Sequence, residues 1–396
     1  MSPPSSTGGD SIKCLMVLQV GERRAGLQPE PSSACVPSAT TSRKVVLFGA
    51  TGFIGRWTTK ELLDLGASVT APLRDPKAAD ELSGWFREHG TSIENLQFIP
   101  VDFHARDLGI SDGSLSSVMQ GAPGDVINVA GAYAFGMRNT EATRANVESA
   151  EAIVRLAARL PNLRRLVHLS GYRVGGQDPS TLPWSDAKRR RLYSRLGAYE
   201  ASKVEGDAVV QATADRLNVP LTVVNPATVT GHSITGETNQ VLGLASTLLQ
   251  LWRGDLRAMA GGPATFVPVV PVDYLARFLA MVPTVHAAEG KSYWVLDDNT
   301  PSLPDLLALL GNHYRVRVPR LRVPVGIVKM LPASLSGIEP ETLSFLSTNR
   351  YPSGTARELA QQHGLEFPDT ITSLKRWADY LAEHHFTVKV TSTPKF

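Results

Sequence analysis

Lys44-Val-Val-Leu-Phe-Gly-Ala-Thr-Gly-Phe-Ile-Gly55 joins a short apolar run to three glycines that recur every third residue. A helical pattern follows as far as Leu65, and Gly66 stands where glycine often ends a helix. Such glycines also occur in plain tight turns, but the strand before and the helix after them favour a phosphate-binding turn. Backbone amides and the dipole at a helix N-terminus both favour a bound anion. The residues that we predict to contact a dinucleotide here are Gly49, Thr51, Gly52, Phe53, Ile54, Gly55 and Arg56.

The composition is that of a globular chain. It has 396 residues, of which 42% are hydrophobic and 19% charged, so it can bury a substantial core. The formal net charge of +3 is small and gives no reason to expect a nucleic-acid partner. The nine histidines and the two cysteines, Cys14 and Cys35, show no ligand spacing, so we expect neither a metal site nor a disulfide framework. No apolar stretch reaches the ~18 residues of a membrane span, and we expect a cytoplasmic protein.

Residues 1–42 are rich in serine, proline and glycine, which predicts a flexible leader before the first strand. The segment from Ile12 to Val20 is apolar, but no basic segment precedes it and Lys13 interrupts it, which argues against a secretory signal. A transit peptide and a mis-set translation start both remain open.

Apolar strands alternate with helical patterns after the glycine turn. We predict strands at residues 67–73, 95–102, 125–130, 166–170 and 221–225, and helices at 77–88, 143–160 and 198–217. This alternation predicts parallel βαβ units with right-handed crossovers, and therefore an α/β fold with a doubly wound, Rossmann-like sheet. We assign residues 43–231 to this dinucleotide-binding domain, with 266–300 returning to it. Residues 232–265 and 301–396 form a smaller, discontinuous C-terminal substrate lobe in this interpretation.

Ligands of doubly wound sheets bind at the carboxyl ends of the strands. Five separate stretches place residues at or near such ends, namely Gly49, Asp102, Ala130, Ser170 and Asn225. We therefore expect one cleft that these stretches share, with Ala130 among the cofactor-binding residues.

Tyr199-Glu-Ala-Ser-Lys203 places a phenol and an ammonium four residues apart on a predicted helix, where they share a face. A tyrosine with an ordinary pKa near ~10 is a weak acid or base at neutral pH, but a nearby lysine cation favours the phenolate. The phenol can then exchange a proton with a carbonyl or alcohol oxygen while a nicotinamide carries the hydride. Surface pairs of this kind are common, so the pattern gains its weight from its position after the glycine turn.

These stretches resemble the short-chain dehydrogenase/reductase superfamily in its extended branch, which includes NAD-dependent epimerases and dehydratases. The resemblance covers about residues 44–300. It rests on Gly-Ala-Thr-Gly-Phe-Ile-Gly at 49–55, Tyr-Glu-Ala-Ser-Lys at 199–203 and Asn-Pro-Ala-Thr-Val-Thr-Gly at 225–231. It implies a Rossmann-like fold, a nicotinamide cofactor and a smaller C-terminal substrate lobe.

The resemblance also implies roles for individual residues. Asn146 matches a structural and proton-relay asparagine, and Asp102 matches an acid that contacts the adenine. Lys203 would also bind the nicotinamide ribose, and the stretch around Pro226 and Val229 would lie beside the nicotinamide.

The chain departs from the family at three positions, one of which is Asn128 in place of a common histidine in the fourth strand. A serine or threonine usually follows the fifth strand and holds the substrate oxygen, whereas here Tyr172 fills the aligned position and Ser170 lies two residues earlier. Either residue, or neither, holds that oxygen. Asn225 replaces the arginine expected before Pro226, which weakens a sugar-nucleotide epimerase or dehydratase interpretation.

The end of the second strand decides between cofactors. Arg74 stands where a guanidinium would pair with the 2′-phosphate of NADP, and Arg56 could assist it. Asp75 follows directly, and a carboxylate in that place would favour the free ribose hydroxyl of NAD. We predict NADP, with NAD as the less favoured alternative.

The leading hypothesis is an NADP-dependent oxidoreductase that transfers hydride between nicotinamide and a carbonyl or alcohol group of an organic substrate. One alternative is an acyl-thioester reductase, in which residues 242–251 and 325–331 would line a lipophilic pocket and Lys188-Arg-Arg-Arg191 would meet a carrier protein. Helix packing and a solvated helix face explain the same features more simply. A non-catalytic NADP-binding regulator is an alternative of another class. A homodimer is one arrangement that the sequence leaves open.

Overall fold

A parallel sheet of seven strands forms the centre of the computed structural model, which describes residues 42–103, 105–132, 137–324 and 346–387. The strands are β1 Lys44–Phe48, β2 Ser68–Leu73, β3 Leu96–Pro100, β4 Asp125–Asn128, β5 Arg165–Leu169, β6 Leu221–Pro226, β7 Thr228–Thr230, β8 Met259–Ala260, β9 Val269–Pro271, β10 Lys291–Val295 and β11 Arg322–Val323. Seven of them form the sheet in the order β10-β6-β5-β4-β1-β2-β3. This order reverses direction between β1 and β4, which is where doubly wound sheets bind their ligands.

The helices connect successive strands and cover the sheet. They are α1 Phe53–Asp64, α2 Ala78–Glu88, α3 Asp112–Gly121, α4 Asn139–Thr143, α5 Ser149–Ala157, α6 Asp186–Leu196, α7 Ala198–Leu217, α8 Leu244–Arg253, α9 Val272–Met281, α10 Leu303–Tyr314, α11 Gly354–Gln362 and α12 Thr370–Glu383. Residues 45–48 of β1 are all buried, because helices cover both faces of the sheet. The predicted doubly wound α/β fold is therefore confirmed.

Two predicted elements differ from the observed ones. The helix expected at 143–160 is interrupted by a π-helical turn at Arg144–Glu148 between α4 and α5, and it ends at Ala157. The apolar, proline-containing stretch 266–273 also predicts an extended segment, but it contains only the short strand β9, after which α9 begins at Val272. The apolar face of α9 packs on α1, a tertiary contact that proline-rich local sequence does not reveal.

A separate hydrophobic cluster joins α8, α10 and α12. Leu248, Leu306, Leu310 and Leu381 are fully buried in it, and Trp377 lies among them. These helices come from the predicted substrate lobe, whereas β10, between them in sequence, pairs with β6 in the main sheet. The predicted leader at 1–42, with Cys14 and Cys35, lies outside the described residues except for its last position, and so does segment 325–331.

Candidate active site

The glycine turn after β1 is shaped by two close backbone approaches. Gly49 has φ +92°, and a Cβ there would lie 2.7 Å from the amide nitrogen of Ala130. A Cβ on Gly55 would lie 1.9 Å from the carbonyl oxygen of Gly49. At Gly52 the nearest atom would be at an ordinary 3.4 Å. Packing therefore requires glycine at the first and third positions, and the second keeps the backbone open to a ligand.

The N-terminus of α1 is left available to an anion. Gly52 is its N-cap residue and provides no side-chain capping hydrogen bond, and no acidic residue lies in the first turn. The unpaired N–H groups and the positive end of the helix dipole therefore face the turn without a competing carboxylate.

A cavity of about 880 Å³ extends from this turn to the C-terminal helices. Its wall contains these residues predicted from sequence: Gly49, Thr51, Gly52, Phe53, Ile54, Gly55, Arg56, Arg74, Ala130, Ser170, Tyr172, Tyr199, Lys203, Pro226 and Val229. Asp102 and Asn146 are not part of it, and Phe103 lines the wall beside β3 instead of Asp102. The five strand-end stretches thus share one cleft, as expected, although Asn225 itself is buried outside the wall.

Sequence reasoning missed much of the cavity wall that the predicted substrate lobe supplies, most of which is apolar. Residues from α8, α10, α12 and the chain near them contribute Asn239, Gln240, Val241, Leu242, Gly243, Leu244, Thr247, Val267, Leu303, Leu346, Trp377 and Phe386. The predicted pocket segment 242–251 supplies part of this set. The rest carried no local signal, because apolar helix residues look alike whether they pack on a core or line a cavity.

Tyr199 and Lys203 both line the cavity from α7. The Lys203 ammonium donates a hydrogen bond to the carbonyl oxygen of Leu169, at the end of β5, over 3.2 Å. Although part of the side chain remains exposed, burial lowers the pKa of Lys203 to about 8, and the nearby Asp207 carboxylate opposes this shift. At neutral pH the group is thus a cation beside the cavity.

His168 lies on β5 behind this lysine and stays neutral. Burial, with a smaller contribution from the charge of Lys203, lowers the pKa of His168 to about 3. Asn128 Nδ2 donates to His168 Nδ1 over 3.2 Å, and Asn128 Oδ1 accepts from the amide of Ala130 over 3.1 Å. The pair therefore positions the end of β4 and supplies no titrating group near pH 7.

Asn146 lies in the π-helical turn and connects two segments next to the cavity by side-chain hydrogen bonds. Its Oδ1 accepts from the amide of Ala132 over 2.9 Å, and its Nδ2 donates to the hydroxyl of Ser202 over 3.0 Å. Ser202 in turn donates to the carbonyl oxygen of Tyr199 over 2.8 Å. The residue thus links the strand-end loop to the first turn of α7, one contact away from the cavity.

Ser170 and Tyr172 are both buried in the wall but differ in their surroundings. Ser170 lies beside the carboxyl group of Asp207. Burial raises the pKa of that carboxyl group, and the nearby Ser170 hydroxyl acts to lower it. The ring of Tyr172 packs edge-on against Tyr351, with centres 5.0 Å apart. Its carbonyl oxygen accepts from the indole N–H of Trp294 over 2.9 Å, so the tyrosine is anchored in the core.

Two arginines from different elements line the cavity, Arg74 directly after β2 and Arg56 in the first turn of α1. Asp75 Oδ1 accepts from the amide of Lys77 over 3.0 Å and is thereby engaged in the turn before α2. Arg74 and Arg56 line the cavity, and the Arg56 guanidinium lies 5.3 Å from the ring centre of Trp85. Burial lowers the pKa of Arg56, and the carboxylates of Glu81 and Glu237 counteract this. The guanidinium groups of Arg74 and Arg56 thus line the cavity here, whereas the carboxylate of Asp75 already accepts a hydrogen bond from the backbone.

An ion pair that sequence reasoning missed lies farther along the wall. Arg173 Nη2 donates to Glu200 Oε1 over 2.7 Å, and both residues line the cavity.

The basic run Lys188-Arg-Arg-Arg191 lies on α6, where three of its four residues are exposed and Arg189 pairs with Glu205 over 2.7 Å. None of the helices described in the structure is long and apolar enough to cross a membrane. No group of three metal-ligating side chains occurs within the described ranges.

Three features together define the class of nicotinamide-dependent dehydrogenases and reductases. They are a parallel doubly wound sheet, a glycine turn at its switch point, and a Tyr/Lys pair on α7 between β5 and β6. A sequence model described as male sterility protein, an NAD-binding family, matches residues 47–279. The chain belongs to this family, within the extended branch of the short-chain dehydrogenase/reductases, and it is of the oxidoreductase class.

Curated relatives are distant. The chain is 25% identical to the mitochondrial NADH dehydrogenase [ubiquinone] 1 alpha subcomplex subunit 9 of Arabidopsis thaliana, over 75% of this chain and 64% of that protein. The chain thus spans slightly less than two thirds of that subunit. It is 24% identical to tetraketide alpha-pyrone reductase 1 of the same plant, over 72% of this chain and 85% of that protein.

Solved structures share the fold. The terminal R domain from the myxalamid PKS-NRPS biosynthetic pathway superposes with a TM-score of 0.68 at 19% identity, over 89% of this chain and 93% of that domain. Gre2 of Candida albicans, solved in complex with NADPH, gives a TM-score of 0.61 at 17% identity, over 87% of this chain and 99% of that protein.

Proposed function

We propose that the protein is an NADP-dependent reductase or dehydrogenase acting on a carbonyl or alcohol group of a small or medium-sized organic molecule. One observation carries the proposal: Tyr199 and Lys203 line the same cavity as an open glycine turn. The turn suits a pyrophosphate, and the phenol and ammonium suit proton transfer to oxygen.

The residues present fit a dinucleotide. Gly52 to Gly55 would hold the pyrophosphate at the N-terminus of α1, and Pro226 and Val229 would flank the nicotinamide, which supplies the hydride when bound. Tyr199 would donate its proton to the substrate carbonyl oxygen, and the Lys203 cation would stabilise the resulting phenolate. Ser170 or Tyr172 would hold the substrate oxygen. The assignment of Asp102 to the adenine stays a prediction.

We infer NADP rather than NAD from the end of β2. Arg74 and Arg56 would pair with a 2′-phosphate, while the Lys77 amide already engages the carboxylate of Asp75. Replacing Arg74 with serine should weaken NADPH binding by roughly tenfold or more, as expected for a lost charge-assisted contact, and leave NADH binding unchanged. Titration of both nucleotides by fluorescence tests this, and an equal loss for both would contradict it.

The acid role of Tyr199 is tested by Tyr199→Phe. Carbonyl compounds are screened with NADPH and NADH by loss of nicotinamide absorbance, and turnover in the variant should fall by about 10²–10⁴-fold because the proton donor is gone. NADPH binding should be retained. Undiminished turnover would refute the assignment. Tight NADPH binding without oxidation across the whole panel, in the wild type, would instead favour a non-catalytic regulator.

Reduction of an acyl thioester is a second candidate, favoured by the apolar wall. Leu242, Leu244, Val267, Leu303 and Trp377 would accommodate an acyl chain. The name of one relative points the same way: the chain is 22% identical to fatty acyl-CoA reductase 2 of Mus musculus, over 61% of this chain and 54% of that protein. Carrier-bound acyl thioesters consumed in preference to free ketones would select this candidate. A cytoplasmic location and a homodimer remain predictions.

A further inference from the structure

A buried ion pair interrupts the otherwise uncharged part of the cavity wall. The Arg173 and Glu200 side chains are only 15% and 10% exposed, and they meet over 2.7 Å. The other charged side chains among the described lining residues are Lys203 and a set near the glycine turn and β2, namely Arg56, Arg74, Asp75 and Glu81. The Arg173–Glu200 pair therefore stands apart from the residues that would bind the cofactor phosphates.

The second carboxylate oxygen of Glu200 has unused acceptor capacity. Oε2 is buried and has no hydrogen-bond partner among the described residues. A carboxylate accepts hydrogen bonds and donates none, and a buried charged acceptor without a partner is unfavourable until a donor reaches it. Glu200 directly follows Tyr199 on α7, and both residues line the cavity. The unfilled acceptor thus belongs to the residue next to the proposed proton donor.

We propose that the Arg173–Glu200 pair recognises a hydrogen-bond donor, a hydroxyl or an amide N–H, that the substrate carries close to its reacting carbonyl carbon. The proposal rests on the proposed function, because it places the reacting carbon beside Tyr199. The substrate group donates to Glu200 Oε2, and Arg173 holds the carboxylate in place through its contact with Oε1. A carbonyl compound without such a donor leaves Oε2 unpaired and is discriminated against.

Matched pairs of carbonyl compounds test this recognition. The hydroxyl arm compares 2-hydroxyacetophenone with acetophenone, and the amide arm compares acetoacetamide with its N,N-dimethyl derivative. Binding to the full chain with NADP present is followed by intrinsic tryptophan fluorescence, and NADPH oxidation is recorded separately. In at least one arm, the donor-bearing compound should bind the wild type at least tenfold more tightly, which corresponds to about 1.4 kcal/mol.

Glu200→Gln should reduce this preference to about twofold or less, because the amide loses the second acceptor oxygen. Glu205→Gln is the matched control: Glu205 lies on the same helix, is similarly buried and pairs with Arg189 over 2.7 Å, but is not part of the cavity wall. The control should keep the full preference. Circular dichroism of both variants verifies that the overall helix content is unchanged.

Several results would overturn the inference. The inference fails if the wild type binds the two compounds of each pair equally in both the hydroxyl and the amide arm, or if it binds none of the four compounds. It also fails if Glu200→Gln keeps the wild-type preference for the donor-bearing compound. Weaker NADPH binding in that variant with unchanged carbonyl binding would assign Oε2 to the cofactor and also overturn it. Selective binding without NADPH consumption would instead refute the proposed function alone, whereas turnover without selectivity would refute the inference alone.

Discussion

Two opposing effects act on the pKa of Lys203, one from burial and one from a carboxylate one turn farther along α7. Burial lowers its pKa to about 8, and Asp207, four residues farther on, acts to raise it. Asp207 is itself held by the amide of Gln177 over 3.1 Å and the side chain of Gln211 over 2.8 Å. His168 stays neutral, whereas Lys203, one helical turn from Tyr199, changes its charge just above neutral pH.

Activity should therefore decline as the pH rises through about 8, where Lys203 loses its proton and no longer stabilises the phenolate. Asp207→Asn removes the carboxylate that raises the lysine pKa, so the decline should move to lower pH. The measurement is the pH profile of kcat/KM at limiting NADPH, which reports groups of the free enzyme. Glu205→Gln should leave the profile in place, and an unmoved profile in Asp207→Asn would contradict this account.

At the scale of elements, the turn between β1 and α1 uses its glycines for different purposes. Gly49 and Gly55 allow backbone segments to approach each other, since an added Cβ would overlap neighbouring backbone atoms. Gly52 has ordinary extended dihedral angles, φ −73° and ψ 168°, and no such overlap. The first and third glycines thus serve the fold, and the middle one serves the ligand.

Two alanine substitutions separate these purposes. Gly55→Ala should destabilise the protein by about 1–3 kcal/mol, because its methyl group would lie 1.9 Å from a carbonyl oxygen. Gly52→Ala should change the free energy of unfolding by less than about 0.5 kcal/mol. The methyl group that Gly52→Ala adds should nevertheless weaken NADPH binding at least tenfold, about 1.4 kcal/mol, because it blocks the pyrophosphate.

Urea denaturation and NADPH titration of both variants provide the comparison. Equal destabilisation by the two substitutions would show that the middle glycine is also structural. Retained NADPH affinity in a stable Gly52→Ala variant would place the pyrophosphate elsewhere.

At the scale of the whole molecule, the cavity lies where two hydrophobic clusters meet. One cluster covers one face of the sheet, and the other joins α8, α10 and α12. The polar part of the wall comes from strand ends and α7, and the apolar part comes from the C-terminal helices. The cofactor and the organic substrate are thus expected to contact different parts of the chain.

Leu242→Glu tests this division of the cavity. The side chain is 42% exposed and lines the cavity, so a carboxylate there should leave the melting temperature and NADPH affinity nearly unchanged. It should raise KM for apolar carbonyl substrates severalfold, because a charge replaces apolar contact area. Leu321→Glu is the control, since Leu321 is 63% exposed and outside the wall. Equal KM values in the two variants would contradict an apolar substrate half.

The predictable part of the site consists of residues whose chemistry is local. Gly49 and Gly55 belong to a turn of seven residues, and Tyr199 and Lys203 are separated by one helical turn, so spacing alone brings each set together. Glu200 illustrates the opposite case. Its carboxylate meets Arg173 only because the loop after β5 lies beside the start of α7, and a helix residue next to a tyrosine has no local signature of an ion pair.

The amino-acid sequence alone determined the order of strands and helices, the glycine turn and the Tyr/Lys pair, because the period of apolar residues and the needs of a tight turn are properties of short segments. Tertiary structure alone decided that Asp102 and Asn146 stand outside the cavity wall, that Asp207 and burial set the charge of Lys203, and that three C-terminal helices close the cavity. Burial, solvation and contacts between distant segments exist only after the chain has packed.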